Sequence, residues 1–517
     1  MRVSALTVFT ILTALSVHPV IAQDAIISRI EIQRQDVFAP NERGFLPRAA
    51  NALHVETRDW VIRRELLLQP GELWDSVRAA ESERNLRALD LFGRVQIDTV
   101  RAGDSLIVRV MTRDGWSIRP EISYERAGDQ VAWSLGLTES NLIGRGGVAT
   151  IDYENDPDRT SWLVSWRQPR LIANRVNLAA LLEDRSDGLV AYGALTQPFF
   201  SFSSRWAASM SGTSIDGDVL RFRGGDPVPV AVLRRRYALF FLEGAHALEA
   251  SPRGYLRVGL RGQVRRDDFV PAPPTGSVPR TVTGAIGGTL SWSRANFAVL
   301  HNVRSFLREE DQNLSPTLTV GVFAAPTAFG YDEGGVGLSA SGFIGTRIPS
   351  GVARLSASAS GLFAGGALDS GTVRVRGEMV LQPHARHTLL LTANGGWQRD
   401  PVPGAEFDYG FGVGLRSYPL HAYTGDRSFL LGAEYRWTLA DDWRGLLGIA
   451  LGAFGAYGGA WFEGDPRRTG TEFGGGVRVG SSRLADADLF RLDIAYRAAN
   501  DRLPSGWSLV IGQGFPF

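Results

Sequence analysis

The sequence predicts a transmembrane antiparallel β-barrel preceded by a small α+β unit. Three observations carry this reading. From Trp116 onward helical periodicity vanishes, and segments of about ten residues alternate in polarity between turns, the pattern of a membrane barrel. Glycine (60 residues) and aromatics (10%) are abundant. Mean hydropathy is only −0.06. A helical membrane protein would be far more apolar, whereas a barrel with one face to lipid and one to water averages near neutral. Helical spacing is confined to the first 115 residues.

Composition excludes several classes. The 517 residues carry a formal net charge of +1, with no polyelectrolyte signature for nucleic acid. Absence of cysteine removes disulfides, thiol nucleophiles and Cys-ligated metals together. The seven histidines are scattered, with no metal-ligating spacing and no Ser/His/acid motif, so no metal, no cofactor and no enzyme activity is expected.

The N-terminus reads as a signal peptide over residues 1–22. Arg2 supplies the positive charge, residues 6–17 the apolar stretch, and Val20-Ile21-Ala22 the small-residue cleavage site. Residues 23–115 form the small domain. A strand is expected over 26–33, then a looser stretch broken by Pro40, Gly44 and Pro47. One helix is expected over 57–67 with Thr57 as N-cap, and a second over 76–91 with Ala80, Leu86, Leu89 and Phe92 on one side. Two strands, 95–100 and 106–111, close the unit around Gly103-Asp104, giving the order β-α-α-β-β.

Residues 116–517 are the barrel. The first strands fall at 118–126, 131–138, 149–154, 161–166, 176–182, 189–196 and 206–213. Short turns such as those at Gln168-Pro169, Gln197-Pro198 and Gln382-Pro383 alternate with longer loops at 215–234 and 267–280. An uncharged run over 445–462 is too glycine-dense for a spanning helix and reads as strand. Residues 281–311 read as one long strand split by an extracellular extension. Near the end, Arg416 lies in a turn led by Gly414, just ahead of a strand bearing Glu434. Inside a barrel such a pair would be shielded from bulk water, where a charge needs a partner.

Several stretches together resemble the BamA/TamA family. The order of the first domain, with 51–54, 61–67 and 83–87, looks like a POTRA domain. Asn141, Gly144 and Gly146 resemble the family's Asn-Leu-x-Gly-x-Gly periplasmic turn, whose glycines supply positive φ. Leu415-Arg416-Ser417-Tyr418 resembles the tip of the family's loop that folds back into the barrel, and Glu434 stands at the matching acidic position. Gly512, Phe515 and Phe517 resemble the C-terminal outer-membrane β-signal. Two departures are visible: Ser417 replaces a glycine, and Ala456 stands where the family carries an aspartate, leaving Glu434 as the expected acceptor of Arg416.

The resemblance implies sixteen wall strands, against about twenty by literal count, behind one POTRA-like periplasmic domain. It implies an outer-membrane assembly factor that folds client barrels at a seam between residues 118–126 and 507–517; a secretion or translocation pore of the same superfamily is the alternative. Implied partners are unfolded outer-membrane client proteins, outer-membrane lipid, and periplasmic or lipoprotein accessory factors, with no nucleic acid. Clients would add a strand to the domain's sheet edge, expected at 106–111.

Overall fold

The computed structural model describes residues 25–513 except 40, 41, 43, 173–174, 272–281, 412, 482 and 485–488. The signal-peptide reading at 1–22, and Phe515 and Phe517 of the C-terminal motif, lie outside the described residues.

The chain opens with β1 (Ile26–Gln35), α1 (Phe45–Leu53), α2 (Asp59–Arg63), α3 (Ser76–Arg87), β2 (Phe92–Ala102) and β3 (Ser105–Asp114). The sheet order is β1-β3-β2, with β1 parallel and β2 antiparallel to β3. Ile27, Ile62, Leu86, Phe92, Val108 and Val110 form its core.

Four sequence expectations change here. The stretch around Pro47 is a helix, α1, because proline in a first turn forfeits no intrahelical bond. Helix α2 is a single short turn, and Thr57 does not cap it; the Thr57 hydroxyl instead takes a hydrogen bond from Asn141 Nδ2 at 2.9 Å. On α3 the buried alanine is Ala79, not Ala80, and the cap is Asp75, whose carboxylate accepts from the amides of Val77 and Arg78. Residues 106–111 lie in the central strand, so the sheet edges are β2 and β1, the start of β1 being bonded to residues 71–74.

The wall begins with β4 (Ile118–Ala127), β5 (Gln130–Glu139), β6 (Val148–Asn155), β7 (Thr160–Ile172), β8 (Val176–Arg185) and β9 (Gly188–Gln197). Longer strands follow: β10 (Trp206–Arg221), β11 (Ala231–Ser251), β12 (Gly254–Val270) and β13 (Val282–Arg294). A separate hairpin, β14 (Phe297–His301) and β15 (Glu309–Asn313), intervenes. The wall resumes with β16 (Thr317–Ala325), β17 (Gly335–Ile348), β18 (Gly351–Ala364), β19 (Ala367–His384) and β20 (His387–Arg399). Two short strands, β21 (Phe407–Tyr409) and β22 (Tyr423–Gly425), pair within the next loop. The wall ends with β23 (Arg427–Trp443), β24 (Leu447–Trp461), β25 (Gly470–Ser481), β26 (Phe490–Arg497) and β27 (Gly506–Gln513), which closes onto β4.

The result is a closed barrel of twenty antiparallel strands, as in the literal count and not the sixteen the resemblance implied. Period-two alternation divides the wall. Leu135, Leu137, Trp162, Val164, Leu431, Trp437, Leu492 and Ile494 are exposed, while Glu434, Arg436, Arg491 and Asp493, on alternate positions of the same strands or their neighbours, are buried inside. An exposed apolar surface encircling a closed barrel with a charged interior is a lipid-facing belt. Ring contacts link Trp133, Tyr153 and Trp162 on one side of the β4–β27 seam and Phe473, Tyr496 and Trp507 on the other, as in the aromatic girdle of such a belt. No helix among the described residues is long and apolar enough to cross a membrane.

Several turn and loop readings are corrected: Gln168-Pro169 lies within β7, Gln382-Pro383 within β19, and 267–270 within β12. Residues 215–221 and 231–234 continue β10 and β11 as an extended ribbon, leaving only 222–230 as connection. Residues 281–311 are not one split wall strand: β13 ends at Arg294, and the following hairpin sits at the barrel end that carries the N-terminal unit. The run at 445–462 is the single strand β24, as its glycines suggest.

Candidate functional site

The loop between β20 and β23 folds back into the barrel. Gly414 leads its tip at φ +95°, a left-handed conformation that favours glycine, and an added Cβ would lie 3.0 Å from Leu430 Cδ2. The next four residues are buried: Leu415, Ser417 and Tyr418 completely, Arg416 at 3% exposure. Leu415 and Tyr418 pack on Ala422, Tyr423, Leu430, Ala456 and Ala460.

Arg416 is held by two carboxylates and a ring. Its Nη1 donates to Asp493 Oδ2 at 2.6 Å and its Nη2 to Glu434 Oε2 at 3.3 Å. The guanidinium lies 3.6 Å from the centroid of Phe454, a cation–π contact strengthened by exclusion of water. Glu434 Oε1 also accepts from Arg436 Nε at 2.7 Å and Arg478 Nε at 3.0 Å. Arg478 Nη1 returns to Asp493 Oδ1 at 2.5 Å, closing a network of three arginines and two acids. Buried charges persist only when mutually paired and hydrogen-bonded, and here each acid serves at least two cations. Arg416 therefore does not depend on Glu434 alone; the shorter of its two bonds goes to Asp493, on β26.

Ser417 and Ala456, the two positions that depart from the resemblance, each have a physical reason. Ser417 has no left-handed φ, so a side chain fits there. Its amide and hydroxyl both donate to Glu472 Oε2, at 2.8 and 2.7 Å, while its carbonyl accepts from Arg497 Nη1 at 2.9 Å. Ala456 pairs in register with Glu472 and packs in the Leu415–Tyr418 cluster. The acids sit one and two strands further on, at Glu472 and Asp493. Glycines on β25 make the room: a Cβ at Gly476 would lie 2.3 Å from Asp493 Oδ1, and one at Gly474 would lie 2.5 Å from Phe454 Cζ.

At the loop's outer end His421 stacks on Phe222, with ring centroids 3.5 Å apart. Its Nε2 lies 2.9 Å from Asp158 in the β6–β7 turn, and its Nδ1 bonds Asp408. Burial alone would lower the imidazole pKa; the hydrogen bonds and charges of Asp158 and Asp408 outweigh it and raise the value to about 9.

The Asn141 turn lies at the opposite end. Gly144 and Gly146 have φ of +72° and +68°. Asn141 Oδ1 accepts from the Gly146 amide at 2.8 Å, and Arg58 N donates to Gly144 O at 3.0 Å. A Cβ at Gly144 would lie 2.5 Å from Glu56 O. The turn thus seats the N-terminal unit against the barrel, assisted by a buried Glu65–Arg170 pair at 2.6 and 2.7 Å. Gly512 lies in β27 opposite Arg491.

No protein-family model matches this sequence, and no curated protein does. Solved structures give distant likenesses. BamA from Haemophilus ducreyi lacking POTRA domains 1–3 is 10% identical, over 94% of this chain and 85% of that one, with a TM-score of 0.38. CdiB from Acinetobacter baumannii is 9% identical over 95% and 74%, with a TM-score of 0.45. The FrpB iron transporter from Neisseria meningitidis is 7% identical over 94% and 91%, with a TM-score of 0.40. Function has therefore to come from this chain's own residues.

Sequence reasoning named Leu415, Arg416, Ser417, Tyr418 and Glu434, which the structure brings together, but missed Asp493, Glu472, Arg478 and Arg497. A signal existed on β26. Arg491, Asp493 and Arg497 share one face of the strand and Leu492, Ile494 and Tyr496 the other, so the charged face had to be the inner one. Among the described residues no His, Asp and Glu side chains group to hold a metal.

Proposed function

We propose that this chain is an outer-membrane assembly factor of the BamA/TamA type, folding client β-barrel proteins at the β4–β27 seam. The observation that carries the reading is the seam itself. Among the described residues its ladder holds four pairs, from Ser508↔Ala127 to Ile511↔Tyr124, against eight between β26 and β27. The β10–β11 ladder, by contrast, spans the whole of β10. Unpaired backbone in hydrocarbon is costly, so a short-laddered seam is a template for an incoming strand.

The buried lock supports the same reading. Arg416 and Ser417 tie the inward loop to β23, β25 and β26, so the wall leading to β27 is braced, while across the seam Glu125 of β4 meets Arg491 of β26 only at 3.8 Å. In this account the N-terminal unit is a POTRA-like periplasmic module that receives clients at a sheet edge, β2 or the part of β1 beyond Ile27. Its partners are unfolded client barrels, outer-membrane lipid, and periplasmic or lipoprotein accessory factors. No covalent bond is made or broken, and no cofactor is needed.

A secretion pore of the same superfamily is the second reading, favoured by girth: twenty strands enclose more space than side chains alone fill. A photocrosslinker placed at Tyr124 on the seam, and separately at Thr392 on the inner wall, separates the two. Client strands captured from Tyr124 support assembly at the seam; capture from Thr392 alone supports passage through the lumen.

A further inference from the structure

The hairpin between β13 and β16 is bonded into no wall ladder. Strands β14 and β15 form a sheet of their own, joined to the barrel through both ends, where Leu314 N donates to Asn296 O and Arg294 N to Pro316 O. A lone two-stranded hairpin is marginal in water, so its surroundings hold it in place. Those surroundings are the inside of the barrel. Ala298, Val303 and Leu314 pack on inward-facing Val352, Val380 and Leu390. Phe306 at the tip packs on Ala450 and Leu489 and lies over Gly448, where a Cβ would be 2.0 Å from its Cγ.

The tip is built as a rigid piece. Glu310 Oε1 accepts from the amides of Val303, Arg304 and Ser305 and from the Ser305 hydroxyl, at 2.8 to 3.2 Å. Its other side is loosely filled: a cavity of about 1100 Å³ separates it from Arg257, Arg354, Arg376 and Glu378 on the wall.

Two charged contacts tie this piece to both ends of the molecule. Toward the N-terminal unit, Arg87 of α3 makes a bidentate pair with Asp311 at 2.6 and 3.0 Å and reaches Glu309 at 3.5 Å, while Arg308 Nη2 donates to Phe92 O at 2.8 Å. Toward the inward loop, Val303 O accepts from Arg436 Nη1 at 2.6 Å, and Arg436 in turn holds Glu434, the acid shared with Arg416.

We propose that this hairpin is a plug that shuts the lumen from the end bearing the N-terminal unit, held shut by Arg87 of that unit. When α3 moves away with Arg87, the plug loses its outer anchor; when the Arg416–Glu434 network rearranges, it loses its inner one. The plug thus reports the state of the N-terminal unit to the inward loop through a continuous chain of contacts.

The test is single-channel conductance of the full chain in planar lipid bilayers. Arg87→Glu breaks the outer ion pair with Asp311 and Glu309. Loss of charge-assisted bonds of this kind shifts a two-state equilibrium by about tenfold or more, so Arg87→Glu should raise open probability by at least that factor. Asp311→Arg added to Arg87→Glu should restore closure. A third variant, with residues 297–313 replaced by a short Gly-Ser linker, should be constitutively open, and gel mobility with and without heating verifies that each barrel is folded. A folded linker variant that conducts no better than the parent overturns the proposal. So does an Arg87→Glu chain whose opening is unchanged, because Arg87 then does not hold the plug shut.

Discussion

Arg416 on the inward loop and Asp493 on β26 lie 77 positions apart in sequence and meet at 2.6 Å inside the barrel. Asp493 also binds Arg478, which binds Glu434, which binds Arg416 again, so the lock is a ring of charges rather than one pair. Removing one partner from a buried ion network leaves an uncompensated charge, at a cost of roughly 3–5 kcal/mol. Asp493→Ala and Glu434→Ala should each expose the 400–426 loop to protease and lower the temperature at which the barrel unfolds on a gel. The double variant should cost clearly less than the two together, because the sites share Arg416 and Arg478. Additive losses would mean the two acids act separately.

Ser417 anchors the loop tip through its hydroxyl. Its hydroxyl donates to Glu472 at 2.7 Å, a neutral-to-charged hydrogen bond of about 1.5–3 kcal/mol. Ser417→Gly, which removes that hydroxyl, should therefore destabilise the loop, read as faster proteolysis of residues 400–426. Ser417→Thr, which keeps the hydroxyl, should do so less.

The His421 clamp predicts a pH dependence. Its folded pKa of about 9 lies above the 6.5 of a free imidazole, so the protonated form is the one stabilised. That stabilisation is complete below pH 6.5 and is lost as pH rises through about 9. The outer half of the loop should become protease-sensitive between about pH 8 and pH 10, and His421→Gln should abolish that dependence while leaving the Arg416 network intact.

Gly144 carries the seating of the N-terminal unit. Alanine there combines a left-handed φ of +72° with a Cβ 2.5 Å from Glu56 O. The strain is of the order of 1–3 kcal/mol. Gly144→Ala should speed cleavage near residue 115 without altering heat-dependent migration of the barrel.

What was legible in the sequence was what local pattern encodes. Alternation located most wall strands, glycine density made β24 a strand, and the turn led by Gly414 pointed to Arg416 and Glu434. What was not legible depended on register and partner choice. Asp493 and Glu472 reach Arg416 and Ser417 only because β25 and β26 align with β23 across the wall. The alternation of residues 297–313 reads as strand but does not say to which sheet, so the plug was taken for part of a wall strand. Strand β3 was taken for an edge because its parallel pairing with β1 leaves no mark on periodicity. Helix α1 was hidden by Gly44 and Pro47, which stand just before its start and within its first turn.

The central claim, that clients fold at the β4–β27 seam, is tested most directly by locking it. Leu509 and Arg126 are register partners on the outer face, away from the buried lock, and the chain has no native cysteine. Leu509→Cys with Arg126→Cys, oxidised in proteoliposomes, should stop insertion of an added client barrel, and reductant should restore it. Full insertion by the oxidised chain, with crosslinking complete, would contradict the account.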